Sequence, residues 1–101
     1  MGNVLIINAK DEIRDTIIGI FTSMLLRSYQ KVLIGMAYNE NGIKVSARVP
    51  KGLNINARKI LEQACAGLNE SEFGGHESAG GCVINKDEEN IFIEKVKSIL
   101  A

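Results

Sequence analysis

The chain has no tryptophan, one histidine, one proline and two cysteines among its 101 residues. Each scarcity excludes something. With only two tyrosines and three phenylalanines, a platform that stacks several bases is poorly supplied. Two thiols and one imidazole cannot complete a four-ligand zinc site without carboxylates. Free, mostly buried thiols fit a reducing cytoplasm. No apolar run is long enough to span a bilayer, and Val4-Leu5-Ile6-Ile7 lacks both the length and the basic start of a targeting segment. Charge of one sign is also missing: twelve basic and twelve acidic residues cancel. That argues against strong non-specific nucleic-acid binding, which rests on phosphate neutralisation.

What is there is an ordinary globular composition, 46% hydrophobic and 24% charged. Aliphatic residues occur in every segment, so disorder is not expected. The length suits a single domain over residues 1–101, burying roughly 60–65% of the surface that its unfolded chain exposes.

Periodicity outlines the elements. Val4 to Asn8 is a β-branched run without alternation and reads as a buried strand. From Asp11 to about Arg27, the residues Ile13, Ile17, Ile20, Phe21, Met24 and Leu25 recur at helical spacing. Asp11, Glu12 and Asp15 then sit at the positive end of that helix and Arg27 at its negative end, while Gly19 points to close packing against a neighbour. Lys31 to Tyr38 reads as a second strand. Asn41-Gly42 signals a hairpin turn, because both residues accept positive φ. The third strand alternates, with Ile43, Val45 and Ala47 on one face and Lys44, Ser46 and Arg48 on the other; it ends at Pro50. A second helix starts near Asn54 or Asn56, either of which can cap it. Ala57, Ile60, Leu61, Ala64 and Leu68 form its buried stripe, and Gly67 stops it. Asn69 to Gly81 reads as a polar, glycine-rich functional loop. Cys82-Val83-Ile84 is a short strand, and Asp87 opens a last helix that turns Phe92, Val96, Ile99 and Leu100 inward. The fold class is α/β: a small mixed sheet of about four strands, including one hairpin, with three helices packed on it.

Chemistry concentrates at Gly74-Gly75-His76, followed by Ala79-Gly80-Gly81. Bare backbone admits a ligand closely, successive N–H groups in a turn form a concave anion site, and an imidazole adds a donor. No residue from Asn41 to Leu61 is acidic, yet that stretch holds Lys44, Arg48, Lys51, Arg58 and Lys59. Together these groups suit a phosphate or a nucleotide. A thiolate enzyme using Cys82 with His76 is a rival reading, weakened because Cys82 heads an apolar strand and so points inward. Arg14 and Asp15 read as an exposed helix face, and Asp87 to Glu89 as helix N-terminal charge rather than a metal site.

Ser46 and Arg48 on a strand, then Gly52-Leu53-Asn54-Ile55, a helix, Gly74-Gly75-His76, and small residues from Ala79 to Gly81 follow one another in a recognisable order. From Lys44 to Ile84 the chain resembles the DHH-associated domain. That domain is the C-terminal partner of the DHH phosphoesterases, which include RecJ-like single-strand exonucleases, oligoribonuclease-type enzymes and cyclic-dinucleotide hydrolases. The first half, with Ile13-Arg14 and Ile18-Gly19, is similar to the archaeal RecJ-like branch. Two positions depart from the family pattern: Phe73 stands at the first glycine of the usual run, and Gly80 replaces an alanine.

The resemblance implies a substrate-binding role. Arg48, Ser46, Lys51, Gly74, Gly75 and His76 would hold a single-stranded nucleic acid or a nucleotide phosphate. The site would face a cleft shared with the DHH catalytic domain of a parent chain, where manganese performs hydrolysis. No catalytic residue, metal ligand or cofactor is expected in this chain, because metal-assisted phosphodiester hydrolysis needs clustered Asp and His ligands and no Asp-His-His run occurs. The chain then reads as the excised C-terminal domain of a longer cytoplasmic phosphoesterase, inactive alone, with Met1-Gly2 an introduced start. The alternative is an interaction module like the C-terminal domain of alanyl-tRNA synthetases, serving homodimer assembly or tRNA contact.

Overall fold

Aliphatic strands and amphipathic helices follow in the order β1 (Val4–Lys10), α1 (Ile18–Leu25), β2 (Val32–Asn39), β3 (Gly42–Arg48), α2 (Ala57–Ala64), β4 (Ser71–Gly75), β5 (Ala79–Ile84) and α3 (Glu89–Ile99). The structure is a computed structural model that describes residues 3–101; Met1-Gly2 lies outside the described residues. The strands make one sheet in the order β1-β2-β3-β5-β4. β1 and β2 are parallel and joined through α1, whereas the other three pairings are antiparallel.

The α/β class is as expected, but the sheet has five strands rather than about four. The extra strand comes from the stretch expected to be a loop. Gly74 pairs with Gly81 and Gly75 with Gly80, and the tip closes where the His76 N–H donates to the Ala79 carbonyl at 2.8 Å. Glycine runs suggest turns, yet here the run is paired strand, and at Gly75 the facing backbone leaves no room for a side chain. A Cβ on Gly75, where φ is +139°, would press on the Gly80 Cα and approach the Ala79 carbonyl to 2.7 Å.

Two faces of the sheet are covered differently. On one, α2 and α3 pack Ile60, Leu61, Phe92 and Val96 against Ile34, Met36, Ile43, Val45, Cys82 and Ile84. Full burial of each such aliphatic or aromatic side chain contributes about 1.5–3 kcal/mol. On the other face, α1 sets Ile18 against Ala9 and Ala37. It packs on β2 and β3, and the next strands outward, β5 and β4, carry Gly81 and Gly74 on that face.

Helix α1 differs most from expectation. It starts at Ile18, because the chain leaving β1 first makes tight turns, with Glu12 N–H to the Ala9 carbonyl and Ile17 N–H to the Arg14 carbonyl. Neither its first turn holds an acidic residue nor its last turn a basic one. Its inward face is Ile18 and Thr22, while Ile17, Ile20 and Met24 are exposed. The Thr22 hydroxyl is satisfied by donating to the Ile18 carbonyl at 2.7 Å, so a polar residue sits on the packed side. In the β2–β3 hairpin the tight pair is Glu40-Asn41, and Gly42 is already paired with Asn39. Helix α2 has the expected buried stripe and is capped by Asn56 rather than Asn54. A 3₁₀ turn at Lys86–Glu88, with a capping box from Asn85, leads into α3.

Candidate functional site

Where α1 ends its cover of the sheet, a cavity of about 470 Å3 opens. Its lining comes from three sources. The α1 side supplies Asp15, Thr16, Gly19 and Ile20; β3 supplies Lys44, Ser46 and Arg48; β4 and β5 supply Glu72, Gly74, Gly75, Ala79, Gly80 and Gly81. Strand alternation explains the middle group, since Lys44, Ser46 and Arg48 are two apart on β3. They pair with Val83, Gly81 and Ala79 of β5, so the glycine lies directly beside the Ser46 side chain.

Arg48 is held only by neutral groups. Its Nε donates to Ser23 Oγ at 2.8 Å, and its Nη1 donates to the carbonyls of Ala47 at 2.8 Å and Gly80 at 3.3 Å. Among the described residues no carboxylate pairs with it, and its Nη2 has no acceptor. Burial draws the guanidinium below its ordinary pKa, although an arginine stays protonated in any protein environment. The result is a half-buried, preorganised positive charge with a free donor edge, which is what a phosphate oxygen requires. Ser46 lies beside it, 3% exposed, with no hydrogen bond to its hydroxyl among the described residues. Its hydroxyl opens on the cavity without a protein partner and is a second donor for a ligand. Gly19 makes this possible: a Cβ there would stand 2.9 Å from Arg48 Nη2 and 3.4 Å from Ser46 Oγ.

The floor is bare. A Cβ built on Gly74 meets nothing within 4 Å, whereas one on Gly81 would stand 3.1 Å from the Val45 carbonyl oxygen and 3.9 Å from Lys44 Nζ. Next to the floor, Glu72 adopts φ +51° within an irregular pairing between Ser71 and Gly74. Such bulges re-aim side chains at functional edges.

Of the residues singled out from sequence, Ser46, Arg48, Gly74 and Gly75 line this cavity; His76 and Lys51 do not. His76 is exposed at the β4–β5 tip. Its Nδ1 accepts the Ser78 N–H at 3.2 Å, and its carbonyl accepts the Arg58 N–H. The Nδ1 acceptor role leaves Nε2 as the ring's donor in the neutral imidazole. Lys51 and Lys59 line a separate cavity of about 780 Å3 at the β3–α2 loop. Arg58 is spent on an ion pair with Glu62 at 3.2 Å and a bond to the Gly75 carbonyl, and it stacks 5.4 Å from the Phe73 ring. The basic stretch is therefore split between sites rather than gathered on one face. Lys44 was legible from the β3 alternation. Asp15, read from the sequence as part of an exposed helix face, instead lies half-buried in the turn before α1 and on the cavity wall, and Glu72 had no sequence signal, because the bulge in β4 brings it in.

Among the described residues no group of three His, Cys, Asp or Glu could hold a metal ion. Asp15 and Glu72 are two carboxylates flanked by Lys44 and Arg48, a poor donor set for a divalent cation. Cys82 packs in the core with its Sγ 3.6 Å from Cys65 Sγ. The hydrogen bond with Cys65, together with burial, pushes the Cys82 thiol up, which rules against a thiolate nucleophile there. No helix among the described residues is long and apolar enough to cross a membrane.

A family model described as the DHHA1 domain matches residues 2–101. No match was found among curated proteins. Among solved structures, RecJ from Thermus thermophilus in complex with Mg2+ is 19% identical, with a TM-score of 0.79 over 98% of this chain and 15% of that one. Exonuclease RecJ bound to manganese gives 19% identity and a TM-score of 0.80 over 98% of this chain and 23% of that one. The C-Ala domain of alanyl-tRNA synthetase from Aquifex aeolicus gives 18% identity and a TM-score of 0.76, covering 97% and 88%. At these identities the likeness is one of fold, and the chain spans less than a quarter of either RecJ.

Proposed function

Because the chain belongs to the DHHA1 domain family, we propose that it is the substrate-holding accessory domain of a DHH-family phosphoesterase and that it grips a phosphate of a nucleic acid or nucleotide. The observation that carries this reading is the pairing of Arg48, which has no carboxylate partner, with the Ser46 hydroxyl, which opens on the same cavity without a protein partner, over a glycine floor. Arg48 Nη2 and Ser46 Oγ donate to phosphate oxygens, and Lys44 adds charge from the same strand. The bare Gly74 and Gly81 backbone lets the anion settle close. His76, with Nε2 as donor, stands at the hairpin tip to meet the far side of a longer ligand. Lys51 contributes attraction over distance.

Hydrolysis belongs elsewhere in this scheme. The cavity's own carboxylates do not suit a metal, so manganese is assigned to a separate DHH domain of the parent chain, which this domain would face. The fold is shared with the C-Ala domain of an alanyl-tRNA synthetase, so the cavity, and not the fold, supports the phosphate reading over an assembly or tRNA module.

Titration of the 101-residue chain with a fluorescent thymidine mononucleotide tests it. Removing a charge-assisted donor costs about 1.5–3 kcal/mol, so Arg48→Ala is expected to weaken binding roughly ten- to a hundredfold. Arg48→Lys keeps the charge but loses the fork and should fall between. Equal affinity of Arg48→Ala and wild type overturns the reading.

A further inference from the structure

The fold brings the chain's two cysteines into contact. Cys65 is the C-cap of α2, and Cys82 lies in β5 within the core that α2 covers. Their Sγ atoms are 3.6 Å apart, although the residues are 17 positions apart in the chain. Both are free thiols, and both are buried. A disulfide closes at about 2.05 Å, so an approach of roughly 1.5 Å separates this dithiol from the bond. The two thiols are not equivalent. Cys82 is enclosed on its strand, whereas Cys65 is 3% exposed and precedes the exposed turn Ala66-Gly67. The Cys82 S–H donates to the Cys65 sulfur, which draws Cys65 below the ordinary thiol pKa against its burial. The same bond, with burial, pushes Cys82 up. Cys65 is therefore the readier nucleophile, at the rim of the core, and Cys82 is a partner held in contact behind it.

The segment between the two cysteines is the hairpin of the candidate site. It carries Gly74, Gly75 and His76 and returns through Gly80 and Gly81. Its outer strand, β4, is an edge of the sheet and pairs with β5 alone, in an irregular register. The N-terminal end of α2 already holds the hairpin tip through the Ala57 and Arg58 N–H groups. A bond from Cys65 to Cys82 would tie the other end of the helix to β5. We propose that Cys65 and Cys82 are a redox modification site, which a hydroperoxide converts into an intramolecular disulfide that locks the β4–β5 hairpin. With hydrogen peroxide, the Cys65 thiolate attacks one oxygen, the O–O bond breaks, and the departing hydroxide takes up a proton to become water. Cys65 is left as a sulfenic acid. The Cys82 sulfur then attacks the Cys65 sulfur, and the hydroxyl group leaves with the Cys82 proton as a second water. The thiols have lost two electrons and two protons, and the peroxide has been reduced to two waters. A small thiol reverses the bond by exchange. The cross-link acts by closing a loop and removing its open conformations, whatever the cavity binds.

Hydrogen peroxide added to the 101-residue chain, followed by intact mass and thiol titration in denaturant, tests this. The expected product is a monomer that has lost two hydrogens and both titratable thiols, and dithiothreitol restores both. Met24, 66% exposed, takes up oxygen in the same sample and reports that the oxidant was active. The oxidised sample is compared with the same sample after dithiothreitol, which leaves methionine sulfoxide in place. The disulfide should raise the urea midpoint by about 1 M or more and slow amide exchange in β4 roughly tenfold. In Cys82→Ala, the Cys65 sulfenic acid has no partner and should be trapped by a 1,3-dione probe. In Cys65→Ala, the enclosed Cys82 should remain a thiol. Circular dichroism checks that these variants fold, and the wild-type masses decide the question without them. If Met24 is oxidised while both thiols persist, the modification site is overturned. A disulfide-linked dimer in place of the monomer overturns it as well. If the disulfide forms but the urea midpoint falls, or β4 exchange does not slow, the lock is overturned.

Discussion

Gly74 and Gly75 are neighbours in sequence but answer to different constraints. Gly75 is glycine because its φ of +139° and the crossing Gly80 backbone leave no room for a Cβ. Gly74 faces open space and is bare only towards the cavity. A Gly75→Ala substitution is therefore expected to destabilise by more than about 1 kcal/mol, from strained backbone plus overpacking. Gly74→Ala should stay within about 0.5 kcal/mol. Urea midpoints of the two variants check the contrast. Similar losses at both positions would mean that the bare floor is a folding requirement and not a feature of the site.

Helix α2 shows how an element meets its neighbours. Its first N–H groups are all engaged: Ala57 to the Glu77 carbonyl at 2.8 Å, Arg58 to the His76 carbonyl at 3.2 Å, and Lys59 to Asn56 Oδ1 at 3.1 Å. The helix is thus stapled to the hairpin tip, and its positive end has no free donors for an external anion. Asn56→Ala is expected to cost about 1 kcal/mol of stability, read as a lower thermal midpoint. Affinity at Arg48 should not change, because α2 lies on the opposite face of the sheet. Helix α1 teaches the converse lesson. Of its sequence stripe, Ile13 and Phe21 pack partly buried against the small cluster around Ile18, whereas Ile17, Ile20 and Met24 are exposed and the fully buried positions are Ile18 and Thr22. A threonine that satisfies its own hydroxyl, facing a glycine strand, reverses a pattern that assumes apolar means inward.

At the scale of the molecule, Glu89 ties three elements together. It accepts from Tyr38 Oη at 2.7 Å, Lys10 Nζ at 3.1 Å and Asn8 Nδ2, joining α3 to β1 and β2. Burial alone would raise its carboxyl, but the bonds from Asn8, Tyr38 and Lys10 outweigh that and hold it below the ordinary carboxylate value. With the folded pKa depressed, the stabilisation is complete above the unfolded carboxylate range and is lost as pH falls through the folded value. Glu89→Gln should therefore cost about 1–3 kcal/mol near neutrality. The gap between variant and wild type should close below about pH 4. A gap of constant size from neutral to acid pH would show that the carboxylate charge plays no part.

The amino-acid sequence by itself determined the α/β class, the α2 stripe, the alternation that sets Lys44, Ser46 and Arg48 on one side of β3, and the family pattern from Lys44 to Ile84. These features rest on local periodicity and on backbone preferences, which a chain carries wherever it folds. Tertiary structure alone decided the rest. The glycine run became paired strands, because backbone pairing across Gly75 and Gly80 depends on a partner that local pattern does not specify. Asp15 and Glu72 came to the cavity through a turn and a bulge, and the basic stretch was divided among three surroundings. Arg48 acquired its uncompensated charge because packing against Gly19 brought it neutral partners only, a property of neighbours remote along the chain.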